Sequence, residues 1–473
     1  MDIAALFSQA AREAARFRAE SGDRPHYPAR MYAESVEAFS GPLPQVGIEA
    51  GRVIDELVGI AEPGLHAMTG PRFHGWVIGG SHPVGVAADM LTSAWGQNAG
   101  NHMATPSAAA AELVAGRWLV ELLGLPPGAS VGFVTGATLA NFTGLAAARS
   151  GVLEKAGWDA DRQGLFGAPP VDVMIGDDAH TTVFSALQFL GLGHDRVIRV
   201  PTDAQGRMIV TEFEGAVTKR SGPLIVILQA GQINTGHFDD FAAIVPIARA
   251  YGAWVHVDGA FGLWAQASPA YRHLTRGIEQ ADSWATDGHK WLQTPYDCGY
   301  VIVRDEAVHR RAMTIAASFL PAAAENERDP SHYVPELSRR ARGFATWALI
   351  RHLGSTGIAT LVERNCAAAR RVAERISTAP GIRVLNDVVL NQAVIRFGDD
   401  LDEAEGDRLT LDTVAELQRQ GTMFAGPAKW RGQQVMRLSV CNYQTDLEQA
   451  DIDAHAIIDA YHAVRSRNAH GKS

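Results

Sequence analysis

Two short stretches decide how this chain reads: Thr286-Asp287-Gly288-His289-Lys290-Trp291 and, upstream of it, His256-Val257-Asp258-Gly259-Ala260. The second closes an apolar run, Ala253-Trp254-Val255-His256-Val257, with an aspartate. A short, nearly continuous apolar run predicts a buried parallel strand. Asp258 then stands at its C-terminal end, the edge where open α/β sheets build their sites. Lys290 follows another strand-like stretch, Ala281-Asp282-Ser283-Trp284-Ala285-Thr286. Its loop is closed by Pro295-Tyr296-Asp297-Cys298-Gly299, and strand character resumes at Tyr300-Val301-Ile302-Val303.

The alternation continues upstream. Val131-Gly132-Phe133-Val134 enters a small-residue turn, Thr135-Gly136-Ala137-Thr138-Leu139-Ala140-Asn141, and then a helix over residues 142–149. Amides at such a helix start, backed by the helix dipole, suit a phosphate. Val171-Asp172-Val173-Met174-Ile175-Gly176 is a further strand, followed by Asp177-Asp178-Ala179-His180, and residues 196–200 make another. Leu224-Ile225-Val226-Ile227-Leu228 leads into Gln229-Ala230-Gly231-Gln232-Ile233-Asn234-Thr235-Gly236, and a helix over residues 239–251 returns to the Asp258 strand. Strands alternating with helices predict an α/β fold with a mainly parallel sheet and helices on both faces.

The flanks differ in pattern. Ala4, Leu6, Phe7, Ala10, Ala14 and Phe17 recur at helical spacing, and a second helix is expected over residues 47–61. An alanine-rich helix is expected over residues 105–123. Residues 314–343 read as a mobile loop, because Ala322-Ala323-Ala324-Glu325-Asn326-Glu327-Arg328-Asp329-Pro330 lacks periodicity and carries turn formers. Glu336 to Arg342 should open the helix that leads to a smaller α/β domain, with helices near residues 355–379 and 409–420 and strands near 389–397 and 435–440. The end past residue 465 reads as frayed.

Composition narrows the function classes. A chain of 473 residues exceeds one small core, so two or three domains are expected. The net charge of −10 and the absence of a basic run argue against a nucleic-acid surface. Cys298, Cys366 and Cys441 have no metal-like spacing, and so sparse and odd a set suits a reducing compartment. Met1 to Ala19 mixes acidic and basic residues among alanines, unlike a secretory signal, and no apolar run is long enough to span a bilayer. A cytoplasmic enzyme fits.

Together these segments resemble the group II pyridoxal-phosphate-dependent amino acid decarboxylases, the family of aromatic amino acid and glutamate decarboxylases. The resemblance runs over residues 27–443 and is most specific over 258–298. It implies the fold type I architecture of pyridoxal-phosphate enzymes, with a mainly parallel seven-stranded sheet. The expected divisions are an N-terminal helical dimerisation arm (1–65), a large cofactor-binding domain (66–345) and a small C-terminal domain (346–473). It implies pyridoxal 5′-phosphate bound to Lys290 as a Schiff base, with Asp258 on the pyridine nitrogen and His180 stacked on the ring. Ala137 and Thr138 would cradle the phosphate with help from His289, and Ala260 and Asn234 would also face the cofactor. Trp76, His102, Thr235 and Ser338 are the implied substrate contacts. The expected assembly is a homodimer with its active site at the subunit interface, and the expected reaction removes the carboxyl group of an L-amino acid, aromatic by preference, through a quinonoid intermediate. Asp287 stands where many relatives carry asparagine.

One departure bears on the product. Aromatic-type relatives carry a loop tyrosine that returns a proton to Cα. Counted without gaps from Lys290, that position is Phe319, which has no proton to give. Either Tyr333 or His332 takes the role, or the intermediate reacts with oxygen and an aldehyde leaves, as in aldehyde synthases. Two further readings are another carbon–carbon lyase of the same fold and a non-catalytic cofactor-binding relative. The retained Lys290, Asp258 and His180 argue against the last.

Overall fold

In the computed structural model, which describes residues 1–314 and 327–470, five helices precede the first strand. They are α1 (Ile3–Glu20), α2 (Tyr32–Phe39), α3 (Ala50–Ala61), α4 (Pro83–Trp95) and α5 (Pro106–Leu122). Strand β1 (Ser130–Val134) feeds α6 (Ala137–Lys155), and the short α7 (Ala160–Gln163) leads to β2 (Asp172–Gly176). Then follow α8 (Thr181–Phe189), β3 (Ile198–Val200), α9 (Val210–Val217), β4 (Leu224–Gln229), α10 (Phe241–Ala250) and β5 (Trp254–Asp258). Strands β6 (Ser283–Asp287) and β7 (Gly299–Val303) flank the lysine loop, and α11 (Glu306–Met313) follows.

These seven strands form one sheet in the order β1-β7-β6-β5-β4-β2-β3. Pairing from β6 through β5, β4 and β2 to β3 is parallel. Only β7 runs antiparallel, and it does so against both β1 and β6. Because β7 reverses between them, β1 and β6 point the same way. The C-terminal ends of β1, β6, β5, β4 and β2 therefore share one edge.

Strands β1, β4, β5, β6 and β7 are buried along their whole length, which is why they read as apolar runs. Helix α6 lies close on the sheet because of two glycines seven residues apart. A β-carbon on Gly144 would stand 2.7 Å from His256 Cε1, and one on Gly151 would stand 2.8 Å from Trp254 Cζ3. Two helical turns separate them, so both face β5.

Helix α12 (Gly343–Ile376) is interrupted at Gly354 and leads to β8 (Ile382–Val384), β9 (Gln392–Phe397), α13 (Glu403–Gln420), β10 (Gly426–Trp430), β11 (Gln433–Ser439) and α14 (Leu447–His470). The last four strands make a second sheet in the order β10-β11-β9-β8. The chain divides into two compact units: Ser81–Cys366 with Asn386–Gln392, and Met1–Gly80 with Ala367–Leu385 and the chain from Ala393 on. In the latter unit, Phe73 pairs with Phe424 and stacks on it at 4.7 Å, while His74 meets buried Asp453 at 2.7 Å. Residues 66–80 thus group with the C-terminal elements.

Three local expectations shift. The small-residue turn is shorter than it reads, and α6 begins at Ala137. Residues 336–342 are not helical, because Arg339 and Arg340 pair with the 98–99 strand-like segment through Ala99 N–H and Asn98. The C-terminal helix persists to His470, held by Tyr461 and Val464 in the core and by Arg467 on Glu416 at 3.0 Å.

Candidate active site

Strand ends build the site. Asp258 closes β5, Asp287 closes β6, the turn Thr135-Gly136 closes β1, and His180 follows β2 as the residue that caps α8. Register aligns them. Val134, Gly299 and Asp287 lie abreast across β1, β7 and β6, while Gln229, Asp258 and Ala285 lie abreast two residues further down β6. A cavity of about 340 Å³ opens between these ends, lined by Lys290, Asp258, His180, His289 and the start of α6.

The lysine loop is fixed at several points. Asp287 N–H donates to Ala260 O at 3.0 Å, and the Trp264 indole donates to Asp287 O at 2.9 Å. Buried Trp291 donates to Asn365 at 2.9 Å. Close approach of the loop to the β1–α6 turn demands glycine on both sides. A β-carbon on Gly299 would stand 2.6 Å from Gly136 Cα, and one on Gly136 would stand 3.0 Å from His289 Cε1.

Asp258 is 5% exposed and accepts from Ala260 N–H at 3.2 Å. Burial pushes its carboxyl upward, and the charges of His180 and Lys290 oppose that shift. Burial likewise pushes the His289 imidazole down, toward its neutral form. That ring stacks on Tyr296 at 4.2 Å and takes the Cys298 N–H at 3.2 Å on Nδ1. The His180 ring bonds Thr182 Oγ1 at 2.8 Å through Nδ1, which fixes its tilt at the cavity wall. Lys290 Nζ lies 3.0 Å from Asp287 Oδ2, and Asp287 Oδ1 accepts from Ala137 N–H at 2.6 Å.

Of the residues singled out in the sequence, Lys290, Asp258, His180, His289, Ala137, Thr138 and Ala260 all line this cavity. Asn234 and Thr235 do not; Gln229, Gly231 and Ile233 supply that wall. Thr235 is buried with its hydroxyl on Gln205 O at 2.6 Å, and Gln232 Oε1 accepts both the Asn234 and Thr235 amides. His102 is held by Asp329 at 2.7 Å and Glu327 at 3.1 Å, away from the lining, and Ser338 is exposed. Trp76 belongs to the other unit, half exposed beside Phe424. Phe319 lies outside the described residues. Tyr333 is buried with its hydroxyl on Glu306, under the Arg328 guanidinium. Phe261 and Tyr296 also line the cavity and were not singled out in the sequence, where Phe261 follows the Asp258 motif and Tyr296 belongs to the stretch that closes the lysine loop.

These residues fit pyridoxal phosphate. The group needs an amine for its aldehyde, a carboxylate for its pyridine nitrogen and a helix N-terminus for its phosphate. Lys290, buried Asp258 and the glycine-lined start of α6 face one cavity of suitable size. Among the described residues no group of His, Cys, Asp or Glu is arranged to hold a metal ion.

Comparison with known proteins agrees with this chemistry. The aromatic-L-amino-acid decarboxylase of Bacillus atrophaeus is 26% identical over 388 residues, 80% of this chain and 78% of that protein. The L-2,4-diaminobutyrate decarboxylase of Rhizobium meliloti (strain 1021) is 28% identical over 434 residues, 89% of this chain and 83% of that protein. The crystal structure of Oryza sativa TDC with PLP and tryptamine shares the fold, with a TM-score of 0.90 over 98% of both chains at 20% identity. The family model for the pyridoxal-dependent decarboxylase conserved domain matches residues 40–397. The chain belongs to the pyridoxal-dependent decarboxylase family, and is a carboxy-lyase of amino acids that works with pyridoxal phosphate.

Proposed function

We propose that this protein decarboxylates an aromatic L-amino acid and releases the amine. The observation that carries the reading is the meeting of Lys290, Asp258, His180 and the start of α6 around one cavity. Lys290 would hold the cofactor through its aldehyde carbon. Asp258 would keep a proton on the pyridine nitrogen, since a close opposite charge favours the charged form. His180 would wall the ring on one face. The α6 amides, with Thr138 and His289 beside them, would hold the phosphate. When bound, pyridoxal phosphate supplies the electron sink for the pair left on Cα as carbon dioxide departs. Phe261, Ile233 and Tyr296 give the lining apolar surface, which suits an aromatic side chain, as does the likeness to an aromatic decarboxylase.

The test is to incubate the protein and pyridoxal phosphate in air with tryptophan, tyrosine, phenylalanine, glutamate and 2,4-diaminobutyrate, and to follow carbon dioxide, amine, aldehyde and peroxide together. Amine from an aromatic acid, without peroxide, is the expected result. Carbon dioxide from glutamate or diaminobutyrate alone overturns the substrate class.

A second reading, an aldehyde synthase, draws support from Tyr333. Its hydroxyl is engaged by Glu306 and does not line the cavity of its own chain. The ungapped count from Lys290 puts Phe319 at the expected donor position in sequence, and among the described residues no tyrosine of the 314–343 stretch lines the cavity. The balanced reaction consumes the amino acid, oxygen and water and yields aldehyde, carbon dioxide, ammonia and hydrogen peroxide. Stoichiometric peroxide in the same assay selects this reading.

The working form is a homodimer with residues 1–65 as its arm. No residue of α1, α2 or α3 is buried, and Phe7, Phe39, Leu57, Leu91 and Trp95 are all at least half exposed. Sedimentation analysis is expected to give twice the chain mass. Three buried cysteines, none of them in a disulfide, are in keeping with a cytoplasmic location.

A further inference from the structure

The carboxylate of Asp287 holds two groups that the cofactor requires. Oδ1 accepts the amide of Ala137, the first residue of α6, at 2.6 Å, and Oδ2 lies 3.0 Å from Lys290 Nζ. The capping position of α6 is Gly136, which has no side chain to offer. Asp287 thus caps the helix from a strand 150 residues away. It is 2% exposed, and His289 Nε2 stands 3.4 Å from the same oxygen that takes the Ala137 amide.

A helix N-terminus favours an anion. The phosphate of the cofactor is one such anion; Asp287 is another, built into the chain. Condensation with an aldehyde also needs the lone pair of Lys290 Nζ, and the nitrogen must leave Asp287 to present it. An asparagine would keep the acceptor for Ala137 and carry no charge against the phosphate.

We infer that Asp287 is a resident anion that occupies the cofactor's anchors in the cofactor-free protein, and that it thereby sets the rate and tightness of cofactor loading. The carboxylate joins the first amide of α6 to the lysine. Its ion pair with Lys290 has to open before the cofactor is joined to the lysine. The inference takes pyridoxal phosphate as the cofactor and concerns only how this chain admits it.

The test compares the wild-type full chain with Asp287→Asn, both stripped of cofactor and both checked for native circular dichroism. Three probes are used: pyridoxal phosphate, pyridoxine 5′-phosphate (phosphate without the aldehyde) and pyridoxal (aldehyde without the phosphate). Loading of the aldehydes is read from the visible absorbance gained on condensation with lysine. Pyridoxine 5′-phosphate binding is read by equilibrium dialysis. Asp287→Asn is expected to load pyridoxal phosphate and to bind pyridoxine 5′-phosphate roughly tenfold more favourably, a change of the size a removed charge at a helix terminus produces. Unchanged or weaker binding of both phosphates overturns the inference. Should the variant fail to fold, wild-type protein decides: inorganic phosphate is expected to leave its melting temperature unmoved, and a clear rise would show the α6 start to be open. Absence of the visible band in the wild type would strike at Lys290 as the attachment point, whereas a normal band with no gain in Asp287→Asn strikes only at the role of Asp287.

Discussion

The Arg339 guanidinium meets the Glu112 carboxylate at 2.6 Å, with both side chains 1% exposed. Arg339 also donates to Phe133 O at 2.6 Å and to Ala99 O at 2.9 Å. The pair therefore ties α5, β1 and the 98–99 segment together just below the β1–α6 turn. Burial pushes the Glu112 carboxyl up, and Arg339 opposes that.

Removing one partner strands a buried charge. Glu112→Ala is expected to cost about 3–5 kcal/mol of stability, read from denaturant unfolding. Replacing both residues, Glu112→Leu with Arg339→Met, is expected to recover most of that loss, because no lone charge remains.

Gly144→Ala sets two effects against each other. Alanine gains about 0.5–1 kcal/mol in helix propensity. The added carbon would stand 2.7 Å from the His256 ring, which hydrogen bonds hold in place, and overpacking costs about 1–3 kcal/mol. A net loss of stability is expected, with weaker cofactor retention as α6 is displaced. Thermal melting and cofactor content after dialysis check both.

His256 gives a pH dependence whose sign follows from its burial. Nε2 donates to Asn141 Oδ1 at 2.9 Å, Nδ1 meets Ser283 Oγ at 2.8 Å, and burial pushes the imidazole down to about 3. The folded value lies below the unfolded one, so its contribution is present above about pH 6.5 and lost as pH falls toward the folded value. The stability gap between wild type and His256→Gln is expected to narrow by about 2 kcal/mol from about pH 7.5 to about pH 5. Asp239 acts in the opposite direction: burial pushes it up to about 6, and its contribution is lost as pH rises through that value.

Asp258→Asn is expected to retain the cofactor, since Lys290 and the start of α6 remain. Under the proposed role of Asp258, turnover is expected to fall on the order of 100-fold, because the pyridine nitrogen would lose the charge that keeps its proton. Cofactor content and initial rates of carbon dioxide release, measured on one preparation, separate binding from chemistry.

Phe319→Tyr supplies a phenolic proton where the sequence lacks one. If the aldehyde reading holds for the wild type, the variant is expected to shift product from aldehyde toward amine, with a matching fall in peroxide. Simultaneous assay of amine and peroxide measures the ratio.

Much of the site was legible along the chain. Strands buried on both faces must be apolar throughout, so their ends stand out; Asp258 closes one such strand, and His180 and Lys290 each follow a strand end. The start of α6 was marked by small residues for a steric reason, now seen at Gly136 and Gly299. Asn234 and Thr235 were less legible: the turn after β4 bonds to itself through Gln232, and no local pattern says which of its residues faces the cavity.

The sequence by itself determined the α/β class and the strand ends, because those depend on burial and periodicity within a few residues, while Lys290 and Asp258 were singled out through the family resemblance. Only the tertiary structure decided that β7 reverses between β1 and β6, that Asp287 reaches Ala137 and Lys290 together, and that Glu112 finds Arg339. Periodicity tells which side chains leave water. It does not tell which distant partner they meet, since strand order and register are settled by packing between residues far apart in the chain.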